Sequence, residues 1–147
     1  MKTVFDKITR DELIARINTL DENNTAQWGK MNVYQMVKHC GLWEEMISGR
    51  LKCKRSFLGR VFGQMALKGF LKEDILRPNS PSAPELIVRD NDGNVSSEKT
   101  KWIALIEENA NFSDPYFVHP FFGKMTKEQV GFLAYKHIDH HLRQFGC

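Results

Sequence analysis

The sequence has 147 residues, 41% hydrophobic and 27% charged, which is the length and make-up of one ordinary globular domain spanning 1–147. A formal net charge of +3 is mild and argues against nucleic acid and against a membrane surface, since both usually demand a dense basic patch. No stretch approaches the roughly 20 apolar residues that a bilayer requires, and residues 1–20 are charged from Lys2 onward with no apolar signal core.

In chain order, a first helix is predicted from Thr9, whose hydroxyl caps exposed amides while Glu12 reaches back as a capping box. Leu13, Ile17 and Leu20 line its inner face, and residues 21–30 form a polar break. A second helix starts at Asn32, with Gln35 three residues on, and runs to about Gly49. Met36, His39, Trp43 and Met46 fall on one face of it.

Residues 50–71 are basic and then apolar, interrupted by Gly59, Gly63 and Gly69. Each glycine costs about 1 kcal/mol in a helix interior, so a short or irregular helix is expected there. Pro78, Pro81 and Pro84 make residues 77–85 an extended loop, and Leu86, Ile87 and Val88 are either a short strand or a covered loop. A third principal helix runs from near Ser97 to Asn109 with Trp102, Leu105 and Ile106 inward. A loop marked by Pro115, Pro120 and Gly123 follows. The last helix opens at Thr126 and Gln129, another capping box, and ends at Phe145-Gly146. The expectation is an all-α four-helix bundle with an irregular, partly helical insert between helices 2 and 3.

The chemistry sits in the segment YKHIDHHLRQF, residues 135–145. His137 and His141 lie within an apolar stripe one turn apart, so both imidazoles can reach one ion. His39, in the middle of the second helix on an apolar face, is the natural third ligand. Three neutral ligands leave an ion an open position, which favours chemistry or ligand capture over a closed structural site. Zinc, nickel, iron and manganese all accept imidazole, and the sequence does not choose among them. The competing reading makes all three hydrogen-bonded core histidines, but few polar neighbours share those stripes to satisfy the ring nitrogens.

Other residues carry weaker signals. His140, one residue off the stripe, is either at a solvated or capped position or else orients the site or contacts substrate. His119 is either a structural loop residue or a substrate contact. Arg50, Lys52, Lys54, Arg55 and Arg60 are either a solvated helix end or an anion site beside the metal pocket, with Arg55 the candidate substrate contact. Cys40 reads as a small core residue. Cys40, Cys53 and Cys147 are odd in number and form no CxxC pair, so a reducing cytoplasm is expected.

The run His137-Ile-Asp-His140-His141-Leu-Arg-Gln144 is similar to the H-x-x-H-H-x-x-Q pattern of the DinB/YfiT-like superfamily of metalloenzymes. Trp28 ahead of the second helix and the step from Met36 to His39 match that superfamily too. Residues 79–86 and the run HPFFG at 119–123 resemble a branch of it that has no assigned activity. The resemblance implies a metal on His39, His137 and His141, a small-molecule substrate, and a homodimer. It also implies a transferase or isomerase that uses a low-molecular-weight thiol. A metal-dependent hydrolase and a non-catalytic binding protein with a vestigial metal site are the alternatives. The insert at 50–85 departs from the thiol-dependent relatives, so ligation carries over better than substrate does.

Overall fold

The computed structural model describes residues 1–72, 76–78 and 80–147; residues 73–75 and Asn79, within the predicted insert and loop, lie outside the described residues. The described chain is mostly helical: α1 (Lys7–Asn18), α2 (Val33–Ile47), α3 (Phe57–Lys72), α4 (Val95–Asn109) and α5 (Lys127–Gln144). A single 3₁₀ turn at Pro84–Leu86 and a two-residue antiparallel pair, β1 (Val118–His119) with β2 (Gly123–Lys124), complete it.

Capping explains most of the boundaries. The boxes at Asn32/Gln35 and Thr126/Gln129 are both formed. The first helix begins earlier than Thr9, because the Asp6 carboxylate accepts the Thr9 backbone N–H at 2.8 Å and so starts α1 at Lys7. Similarly, Asn94 caps α4 at Ser97, two residues ahead of the expected start. Residues 86–88 form no strand: Leu86 is buried at the end of the 3₁₀ turn while Ile87 is exposed.

The most extensive packing joins α2 to α4, and α1 packs on both α4 and α5. Leu13, Ile17, Met36, Val37, Trp102, Ile106, Ile138 and Leu142 are essentially inaccessible and form the shared core. Outside it, Asp139 of α5 accepts from Arg16 of α1 at 2.8 Å and from Arg143 at 2.9 Å, which sets the rotation of α5 against α1.

The insert departs most from expectation. α3 is a regular 16-residue helix, and two of its three glycines, Gly59 and Gly63, are contact points. A methyl group at Gly59 or Gly63 would overlap the Phe121 carbonyl oxygen, so these two glycines let α3 lie directly on the backbone of residues 121–122. Gln64 then donates to the carbonyls of Phe122 and Lys124 at 2.7 and 2.9 Å.

One buried acid lies in the α2–α4 seam. Glu44 is 3% exposed and accepts from Asn109 Nδ2 at 2.7 Å. Burial pushes its carboxyl up to about 7, a rise that the Asn109 hydrogen bond opposes. Below its ordinary 4.5 both folded and unfolded chains hold this proton. As pH climbs towards 7 only the folded chain keeps it, so stability is lost across that window, on the order of 2–3 kcal/mol. Glu44→Gln keeps an acceptor for Asn109 and removes the charge. Urea unfolding is expected to show the variant about 2 kcal/mol more stable than the parent at pH 8 and near parity at pH 4.5.

Candidate metal centre

α2 and α5 bring three imidazoles to one point. One ring nitrogen each from His39, His137 and His141 lies within 4.8 Å of the others. His39 and His141 are buried and His137 is half-buried. The Nε2 atoms of His39 and His137 are 3.1 Å apart. Two nitrogens on a tetrahedral ion, with bonds of about 2.0–2.1 Å, stand roughly 3.3 Å apart, so this pair needs little adjustment to share one.

The outer ring nitrogens decide where the lone pairs point. His39 Nδ1 is 2.9 Å from the Leu86 carbonyl, which only accepts, so Nδ1 carries the hydrogen and Nε2 is bare. His141 Nδ1 is 2.9 Å from Gln144 Oε1, and the Gln144 amide donates to the Trp28 carbonyl at 2.8 Å. That amide orientation makes His141 Nδ1 the donor and leaves its Nε2 bare as well. Such outer hydrogen bonds orient metal-bound imidazoles.

His137 is the member left unsatisfied. Its Nδ1 is buried and has no hydrogen-bond partner, while Trp43 stacks on its ring at 4.8 Å. If Nδ1 is protonated, two bare Nε2 atoms face each other at 3.1 Å; if Nε2 is protonated, Nδ1 is a buried acceptor without a donor. A cation between the Nε2 atoms removes the first conflict. Electrostatics also favour neutral, ligating rings. Burial lowers His39, lowers His137 well below its ordinary value with help from His141 and His39, and holds His141 down to about 3. The donor set therefore fits a divalent ion.

His39, Arg55, His119, His137, His140 and His141 all line one cavity of about 940 Å³, as does Lys54, whereas Arg50, Lys52 and Arg60 of the basic run do not. His140 is buried rather than solvated, edge-on to Trp28 at 5.8 Å and to His141 at 5.1 Å. His119 has a structural role in the hairpin: its Nδ1 accepts the N–H groups of Phe121 and Phe122, both at 3.2 Å. Burial, with the Arg55 charge adding to it, keeps His119 down to about 4. Arg55 donates to the His119 carbonyl at 2.7 Å, so the guanidinium braces this hairpin while also lining the cavity. Cys40 is buried against Met36, as a core residue should be.

Sequence reasoning missed three roles at the site. Gln144 follows His141 by three residues on one helix, a spacing that signals contact, yet no role was read for it. The Leu86 carbonyl, 47 positions from His39, leaves no sequence signal. Trp28 Nε1 is a third addition, a buried donor without a partner on a side chain that lines the cavity.

No curated protein and no solved structure matches the chain. A family profile does: residues 5–146 match DUF1569, described as a protein of unknown function. That match takes in every helix among the described residues and all three clustered histidines, and the chain belongs to the DUF1569 family.

Proposed function

We propose that this chain is a metal-dependent enzyme of the DinB/YfiT-like kind that transfers or rearranges a thiol or thioether group. In this reading α1, α2, α4 and α5 are the four helices of the bundle and α3 belongs to the insert. The observation that carries it is the convergence of His39, His137 and His141, with outer hydrogen bonds that leave two Nε2 lone pairs bare. A divalent ion held there supplies Lewis acidity that lowers the pKa of a thiol or water beside it.

The chain's own residues do the rest. Lys54 and Arg55, which line the cavity, supply positive charge for the carboxylates of a small thiol. Trp43, Leu133 and Leu86 wall the cavity with apolar surface and restrict water.

Elemental analysis of protein purified without a metal-binding tag is expected to find about one divalent ion per chain, lost in His137→Ala. A parent protein that carries no ion and shows no heat on titration with zinc, nickel, iron(II) or manganese sinks the proposal. Activity that requires an added thiol separates a transferase from a hydrolase using the same site.

The 3.1 Å contact between His39 and His137 favours one second reading. Those rings can share a proton without an ion, as a vestigial site in a ligand-binding protein would. Unchanged thermal stability on chelation, together with ligand binding that survives in His137→Ala, is what that reading expects.

A further inference from the structure

Residues 50–72 contain seven Lys and Arg and no Asp or Glu, so a chain with a net charge of only +3 concentrates +7 in one segment. Arg50 is paired with Glu108 at 2.7 Å, and Arg55 is turned to the His119 carbonyl. Among the described residues Lys52, Arg60, Lys68 and Lys72 meet no carboxylate, while Lys54 lies beside Glu85, whose carboxylate accepts the Lys54 backbone N–H at 3.0 Å. The average over the whole chain hides this density.

The same segment holds the largest group of exposed apolar side chains. With Gly59, Gly63 and Leu67 turned inward, the opposite face of α3 carries Phe57, Val61 and Met65 at four-residue spacing, each more than 60% exposed. Leu58 and Phe62 widen the stripe, and Lys68 and Lys72 continue its line towards the C-terminal end. Five bulky side chains on about two and a half turns make a contiguous patch on the order of 500 Å², a size that marks an interaction site. A second copy is a poor occupant. A stable dimer buries about 800 Å² per partner, and a symmetric contact here would press two strongly cationic segments together. An apolar stripe within unpaired lysines instead has the make-up of a helix that lies in the plane of a lipid interface, its lysine stems reaching back to the headgroups.

We propose that α3 is a docking surface for an anionic lipid bilayer, with Phe57, Leu58, Val61, Phe62 and Met65 seated at the acyl boundary and Lys68 and Lys72 on headgroup phosphates. Leu58, together with Lys54 and Arg55 just before the helix, also lines the histidine cavity, so docking sets that cavity beside the lipid surface.

Flotation of the full chain with vesicles tests this directly. The protein is expected to float with phosphatidylcholine–phosphatidylglycerol vesicles and to stay behind with phosphatidylcholine alone. Phe57→Ser/Val61→Ser/Met65→Ser, at exposed positions that leave the fold intact by circular dichroism, is expected to abolish flotation. Lys68→Ala and Lys72→Ala are each expected to weaken partitioning about fivefold, and added salt to release the parent. Failure to float with the anionic vesicles overturns the proposal, as does flotation that persists in the triple variant. So does a concentration-dependent dimer, seen by sedimentation, that the triple variant loses while vesicles are ignored.

Discussion

Gly63→Ala is expected to destabilise the protein by about 2–3 kcal/mol, against a helix-propensity gain of about 1 kcal/mol that favours the change. The added methyl has no room, because it overlaps the Phe121 carbonyl oxygen and presses on the Phe122 backbone. Backbone atoms cannot swing aside as a side-chain tip can. Relief therefore requires α3 to lift from residues 121–122, which strips Gln64 of its two carbonyl partners. Gly69→Ala is the internal control. Nothing lies within 4 Å of a methyl there, and the position is exposed, so the propensity gain is expected to appear as up to about 1 kcal/mol of added stability. Urea denaturation of both variants reads the two effects with opposite signs. Equal, small changes would mean that α3 does not rest on the hairpin through its glycines.

Gln144→Ala is expected to weaken zinc binding by 10- to 100-fold, on the order of what loss of an outer hydrogen bond to a metal-bound imidazole costs. The substitution leaves His141 Nδ1 without its acceptor and the Trp28 carbonyl without its donor. His141 is then free to turn, and its alternative tautomer would put a hydrogen where the lone pair must point. Gln144→Glu keeps an acceptor for His141 and adds charge, so it is expected to retain tight binding. Competition against a chromophoric chelator measures both affinities, and thermal melting in chelator separates ion affinity from fold stability. Equal zinc affinity in Gln144→Ala and the parent would remove Gln144 from the site.

Helix existence was legible wherever a cap and an apolar period coincided. Asn32/Gln35 and Thr126/Gln129 are local devices, complete within four residues, and both stand as read. The starts of α1 and α4 were read two residues late because Asp6 and Asn94 also cap but lie outside the apolar pattern that anchored the reading. The offset of His140 from the α5 stripe left open whether it is solvated, capped or turned to the site. The chain around Leu76 and Trp28 covers that side of the helix, and no local pattern in α5 records what will cover it.

The amino-acid sequence alone determined that the chain is mostly helical, and that His39, His137 and His141 face inward from two helices, because side-chain direction along a helix follows from spacing. Tertiary structure alone decided what the glycines of α3 do, since close approach to residues some 60 positions away is a property of packing. It alone decided which histidine nitrogens are bare, because Leu86 and Trp28 reach the site as backbone carbonyls whatever their side chains. And it alone turned Phe57, Val61, Met65, Lys68 and Lys72 outward while Leu67 went to the core, since which side of a helix meets solvent depends on what packs against the other.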